Sequence, residues 1–200
     1  MIVSRELPAD GNMSFGIYSA PSIEPVSVEE LKLFARIDGE DEDSMLAAII
    51  VAVRMATEEY LKRSLITQTV RAAIDFWPDS GKLELPKPPL QSVVQIAERS
   101  EENVLTVYAA ANYYVVTESI PGIVCIKRGV EPPTNEERDY AGIIIDYICG
   151  YGDNAEDVPD AIRQAMLLWA TAAYESRVTG SEPPPSAKPL LDIFRVERLD

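Results

Sequence analysis

The spacing of apolar residues changes twice along this chain, and that change restricts the fold more than any other feature. From Ser44 to Arg63, Met45, Leu46, Ile49, Ile50, Val53, Ala56, Tyr60 and Leu61 recur at intervals of three and four, the period of a helix with one broad buried face. From Ile66 the period is two, and "ITQTVRAAIDFWP", "KLELP", "SVVQIAE", "VLTVYAA", "YYVVTES", "GIVCIKRG" and "GIIIDYICGY" read as short strands separated by turns. At "VPDAIRQAMLLWATAAYESR" the helical period returns, with Ile162, Met166, Trp169 and Ala173 in one stripe and Ala161, Ala165, Leu168 and Ala172 beside it. No helix separates the strands, so their pairing should be mostly antiparallel. Small residues in the last helix let it approach the helix ending at Arg63. The expected fold is therefore α+β, a small helical bundle with an inserted, mostly antiparallel β lobe between the second and the last long helix.

Residues 1–24 mix Gly, Pro, Ser and Asn without sustained periodicity and read as a flexible N-terminal arm. The helical part spans 25–65 and the β lobe 66–152. Residues 153–178 complete the bundle, and 179–200 form a Pro-rich linker with a C-terminal docking arm. In "PVSVEELKLFARI", Ser27 and Glu30 form a capping box. Asp41 or Asp43 is expected to cap the second helix, and Glu58 and Glu59 to pair with Lys62 and Arg63 at i to i+4. Pro159 suits a first helical turn. The segments "LPKPPL" and "EPPTNEERD" cannot be central strand and mark turns or exposed loops.

Two hundred residues, 46% apolar and 26% charged, suffice for a sizeable core. The longest apolar run, "MLAAIIVAV" from Met45 to Val53, is far short of the roughly 20 residues that span a bilayer. Arg5, Glu6 and Asp10 stand where a signal peptide needs an apolar core, so a cytoplasmic chain is expected. Histidine is absent, which removes Ser-His-Asp and Cys-His nucleophile pairs and most zinc sites. Cys125 and Cys149 lie in apolar strand segments without a C-x-x-C pattern and read as buried thiols. The net charge of -15, from 33 acidic and 18 basic residues, opposes a tight grip on a phosphate backbone. "DGEDEDS" fails as a calcium loop, because Gly39 is at its second position and Ile49 stands where the twelfth-position Glu belongs.

Gly150-Tyr151-Gly152-Asp153-Asn154-Ala155 fits the dinucleotide fingerprint G-x-G-x-x-A. Its context does not: a strand meander precedes it, and Asp153, Glu156 and Asp157 stand where a pyrophosphate would sit. The glycines read instead as a sharp turn with positive φ at a sheet-to-helix joint, with Asp157 helping to cap the helix. Asp146 reads as a salt-bridged or edge-exposed strand residue, and Trp77, Tyr108, Tyr113 and Tyr114 as core or interface aromatics. Nothing assembles a nucleophile, base and oxyanion site, so neither an enzyme nor a cofactor is expected.

The order of three junctions resembles the head-tail connector family of long-tailed phages, also known as phage DNA-packaging proteins, with similar adaptors in prophages and gene transfer agents. Arg63-Ser64-Leu65-Ile66-Thr67-Gln68-Thr69 matches the family's helix-to-strand junction. Leu85-Pro86 with Pro89-Leu90 and Ser92-Val93 matches its proline joint. Gly150-Tyr151-Gly152 followed by Val158-Pro159 and Ile162-Arg163 matches its sheet-to-helix junction. Leu190-Leu191-Asp192-Ile193-Phe194-Arg195 is similar to its terminal Leu-Leu-x-x-Tyr-Arg segment, with Phe194 replacing Tyr. The longer N-terminal arm and the loop "RGVEPPTNEERDY" depart from the pattern. The resemblance implies a ring, commonly twelvefold, beneath the portal protein. Such a ring extends the DNA channel without sequence-specific binding and gives the stopper or tail completion protein a docking surface. Leu190, Leu191, Ile193, Phe194 and Arg195 read as a candidate partner-docking arm, one that docks on this subunit or on a neighbour. The resemblance also implies residence in the virion neck, after assembly in the host cytoplasm and away from any membrane. Two other classes compete: an acidic DNA mimic that inhibits a host DNA-binding enzyme, and a nucleotide-binding enzyme built on Gly150.

Overall fold

A computed structural model describes residues 13–134, 138–178 and 180–196. Two helices, α1 (Val28–Ala35) and α2 (Asp43–Leu61), precede the inserted strands, and α3 (Asp160–Ser176) and the short α4 (Lys188–Asp192) follow them. The chain divides into two compact units, one made of Pro21–Thr67 and Tyr151–Asp200, the other of Met1–Ala20 and Gln68–Gly150.

In the helical unit, Leu31 of α1, Leu46, Ile50, Val53 and Leu61 of α2, and Ile162, Met166 and Trp169 of α3 bury one shared core. Ala165, Ala170 and Ala173 are also buried on α3, which keeps its backbone near its neighbours. Ser27 and Glu30 form the reciprocal capping box, at 3.1 and 2.8 Å. Three local expectations need correction. The N-cap of α2 is Glu42, which makes no capping bond because its carboxylate accepts from Tyr174 of α3 at 2.6 Å. Asp43 is taken by Lys32 at 2.7 Å. At the other end of α2, Lys62 pairs with Glu59 at i to i+3, and Glu58 turns inward to Arg54 at 3.2 Å.

The β unit holds β1 (Met13–Ser19), β2 (Gln68–Ile74), β3 (Lys82–Leu85), β4 (Leu90–Arg99), β5 (Leu105–Tyr108), β6 (Tyr113–Val116), β7 (Gly122–Ile126) and β8 (Ile143–Cys149). They form a five-stranded sheet, β1-β2-β8-β4-β5, and a three-stranded sheet, β3-β7-β6, with every pair antiparallel. Both sheets contribute to one core: Val70, Ile74, Ile143, Ile145 and Tyr147 from the first, Leu83, Leu85, Tyr113 and Val124 from the second. Central β8 is covered on both faces, which explains its nearly unbroken apolar run. Cys125 and Cys149 are buried thiols, and neither is in a disulfide. Trp77 and Tyr113 are core aromatics, Tyr108 stacks on Tyr113 with centroids 6.4 Å apart, and Tyr114 is exposed.

The expected arm over 1–24 is in part a strand. Met13, Phe15 and Ile17 alternate with smaller residues, and β1 pairs with β2 from Met13↔Ile74 to Ser19↔Thr69. Pairing covers a sheet edge that would otherwise stay open, and Met13 and Phe15 join the core. An alternation this short among Gly and Ser carries little periodic signal. The remainder of that arm, residues 1–12, lies outside the described residues, as do 135–137 of the "EPPTNEERD" loop, Thr179 of the linker and 197–200 at the C-terminus.

On the other face of the five-stranded sheet, Asp146 accepts from Arg71 Nε and Nη2 at 2.7 and 2.8 Å and from Gln95 Nε2 at 2.8 Å. Arg71 also lies 4.3 Å from the centre of the Tyr18 ring. Burial alone would raise the Asp146 carboxyl, but the bonds from Arg71 and Gln95 outweigh it and hold the group below its ordinary 3.8. A depressed folded-state value means stability that is complete above the unfolded-state value and is lost as pH falls through the folded one.

Asp146→Asn should therefore be less stable than wild type at pH 7 and should lose less stability between neutral and acid pH, as measured by urea unfolding across that range. In the helical core, Leu46→Ala should cost about 2–5 kcal/mol, whereas Leu33→Ala, at a position 84% exposed, should stay within about 0.5 kcal/mol. Denaturant titrations followed by circular dichroism check both.

Candidate functional site

The three junctions and the C-terminal segment were the candidate site residues. In the helical unit, α2 closes on Lys62 in the left-handed region, at φ 57°. The next residues are held by a carboxylate behind them, since Glu58 accepts from the Leu65 amide at 3.0 Å while paired with Arg54. Arg63 is almost fully buried, and its Nε donates to the Phe194 carbonyl at 2.5 Å. It also lies beside Tyr151, whose phenol is raised by burial and partly brought back by the Arg63 charge.

The returning chain is bonded to the departing one. Tyr151 N donates to Leu65 O and Thr67 N to Gly152 O, both at 2.9 Å, and Ile66 and Gly152 form a parallel bridge. A Cβ at Gly152 would stand 2.2 Å from Asp157 Oδ2 and 2.7 Å from its Cβ. Close approach, not positive φ, requires glycine there. Asp157 in turn accepts from the Asn154 amide at 2.9 Å, so it caps the single turn Ala155–Asp157 and not α3. Pro159 occupies the N-cap position itself, with its carbonyl accepting from Ile162 at 2.9 Å and Arg163 at 3.2 Å. Arg163 reaches the Pro25 carbonyl at 2.9 Å and pairs with Glu30, which ties the first turn of α3 to the capping box of α1.

In the β unit, Gln68 opens β2 opposite Cys149 and is buried. Gly150 follows at φ 125°, a conformation that favours glycine, and donates to the Pro89 carbonyl at 2.9 Å. Gln91 Nε2 caps the Gly150 carbonyl at 2.9 Å. The predicted proline joint and the predicted glycine turn are thus partners. Arg63, Gly152 and Pro159 belong to the helical unit, and Gln68, Pro89 and Gly150 to the β unit.

The C-terminal segment is seated on its own helical unit. Leu191 is fully buried, Leu190 and Phe194 pack on the same core, and Ile193 remains 75% exposed. Arg195 lies 4.9 Å from the Tyr60 ring centre, and Val196 N donates to Leu61 O at 3.1 Å. Tyr60 also donates to Asp192, while Lys188 Nζ donates to the Tyr60 hydroxyl at 2.6 Å and to Asp192 at 3.0 Å. Together the Tyr60 and Lys188 bonds hold the Asp192 carboxyl below its ordinary range. Sequence reasoning missed this anchor, for which the visible signal was the i to i+4 pair of Lys188 and Asp192 next to a docking segment.

Chemically, these contacts fix backbone. Among the described residues no group of three or more Cys, Asp or Glu is placed to hold a metal ion, and no helix is long and apolar enough to cross a membrane.

Residues 25–121 match the family model of the phage gp6-like head-tail connector protein. Those residues, just under half of the chain, are similar to that head-tail connector family. The family is structural and not enzymatic, and its matched span runs from α1 to the turn before β7. No curated protein matches the sequence. Among solved structures, a chain in the virion of a native gene transfer agent (GTA) particle is 23% identical, with a TM-score of 0.77. A chain in the neck of the empty GTA particle computed with C6 symmetry is 22% identical, with a TM-score of 0.80. A third, in the neck of the native particle computed with C12 symmetry, is 21% identical, with a TM-score of 0.72. Each alignment covers 92% of this chain and 96% of the other chain, so the fold is shared over nearly the whole length of both.

Gly152→Ala should destabilise the protein by about 1–3 kcal/mol through overpacking against Asp157. Adding Asp157→Gly should recover part of that loss, because the two sites are in contact. Thermal unfolding of the two single variants and the double variant checks the coupling.

Proposed function

We propose that this protein is a ring-forming neck component that sits beneath a portal, prolongs the DNA channel and offers a docking surface to the stopper or tail completion protein. The family match over residues 25–121 carries the reading. Support comes from the likeness to chains of GTA necks computed with C6 and C12 symmetry, over nearly the whole length of both chains. A closed ring repeats one contact between different surfaces of neighbouring copies.

The electrostatics suit a conduit. A charge of -15 on each copy repels a passing phosphate backbone, so DNA slides through without the counterion release that drives binding. The C-terminal segment fits a docking role in a narrower form than its sequence implied. Leu190, Leu191 and Phe194 hold the segment on its own unit, which leaves Ile193 and the outer side of Arg195 to meet a partner. The neck of the particle is the place of action, and the host cytoplasm the place of assembly.

Mixed with its cognate portal, the full chain should form a ring of twelve copies, as the C12 relatives suggest, visible by cryo-electron microscopy. The same ring should leave duplex DNA unbound at physiological salt in a polarisation assay. A chain that ignores both portal and tail completion protein at high concentration would sink the reading.

A further inference from the structure

Between Met45 and Val53, helix α2 is apolar all round, although only one side of it is covered. Leu46, Ile50, Val53 and Leu61 point into the core of the helical unit. On the opposite arc, at helical spacings, stand Met45, Ala47, Ala48, Val51, Ala52 and Met55, with Met45 44%, Val51 38% and Met55 56% exposed. No charged side chain interrupts this arc between Asp43 and Glu59, because Arg54 turns inward to Glu24 and Glu58. A helix apolar on every side is ordinarily buried on every side. Such a stripe is out of place on a surface this acidic unless something covers it.

We propose that the outer face of α2 is the contact between neighbouring copies of this chain, an inference that rests on the ring reading above. Charge selects this occupant. Two copies that each carry -15 repel wherever their acidic surfaces meet, and desolvating like charges adds to the cost. They can close only across a face without charge, and the Met45–Met55 arc is such a face on the helical unit. Solved chains of the same fold occur in necks computed with C6 and C12 symmetry, an arrangement in which every copy meets a further copy. In a ring the contact is heterologous, so the stripe of one copy meets a different surface of the next. Methionines suit that task, since unbranched, polarisable side chains adapt to a surface that is not their mirror image.

The test uses the full chain with its portal, under conditions where wild type closes its ring. Ala48→Glu combined with Met55→Glu should leave the free chain folded, with wild-type circular dichroism and Tm, since both positions are exposed. Copies bound per portal, counted by native mass spectrometry, should fall about tenfold or more, as expected when charges are buried in the centre of an interface. Met55→Leu should assemble as wild type does. A second measurement covers a double variant that fails to fold: in Met55→Cys the introduced thiol should react with maleimide in the free chain and be protected in the ring, with Cys125 and Cys149 buried in either case. A double variant that assembles like wild type, or a thiol equally reactive in the ring, would overturn the assignment while leaving the ring reading intact. Protection already complete in copies bound singly to the portal would overturn it too, by giving the face to the portal. Wild type that never forms a ring would remove the ring reading itself, and this one with it.

Discussion

Residues 68–150 interrupt a helical bundle, and the bundle exists only because the two broken ends are rejoined. Helices α2 and α3 bury their apolar faces against each other across that interruption, so the chain must return to where it left. The pair of bonds from Tyr151 N to Leu65 O and from Thr67 N to Gly152 O does this and sets Ile66 beside Gly152 in a parallel bridge. Closing so long a loop costs only a little more entropy than closing a short one, because the cost grows with the logarithm of length. What the joint demands is local: backbone groups that pair, and side chains small enough to let them. Gly152 meets the second demand, with no room for a Cβ against Asp157.

That joint explains how the other fixed points are arranged. Glu58 holds the exit from α2 by taking both Arg54 and the Leu65 amide, which satisfies a buried carboxylate and a buried N–H together. Arg63 binds the Phe194 carbonyl and thereby attaches the C-terminal segment to the same corner. Arg163 links the start of α3 to the Pro25 carbonyl and the Glu30 cap of α1. Departure, return, first helix and last helix are thus connected by three charged side chains that are each hydrogen-bonded and largely buried.

The period change was legible because it is long: nineteen helical residues in α2 and seventeen in α3 leave a pattern that no local accident imitates. Asp146 read as a salt-bridged or edge-exposed strand residue; the structure buries it in a salt bridge, and its partner Arg71 could not be named from spacing. The arm that proved to contain β1 was missed because three alternating side chains carry too little period, and because pairing with β2 is a tertiary effect. Caps were misplaced for a related reason. Asp43 and Asp157 both had the right chemistry for a helix N-terminus, but Lys32 and the Asn154 amide claimed their oxygens first. The fingerprint at Gly150 was rejected on topology, and the structure assigns its two glycines different tasks: one a left-handed backbone against Pro89, the other a close approach to Asp157.

A chain this acidic faces opposing demands if it is to line a conduit for DNA and also to associate with its own copies. Repulsion of the phosphate backbone is useful in the first role and costly in the second. Spreading the charge evenly would satisfy neither. The sequence instead concentrates carboxylates in loops and helix ends, in "DGEDEDS", "RSEEN" and "GDNAED", and leaves a middle stretch of α2 without any exposed charge. The same apolar run that is too short to cross a membrane is long enough to give one helix two working faces: one packed into the core, the other turned outward. On the ring reading proposed above, that composition serves both the fold of a single copy and its association with others.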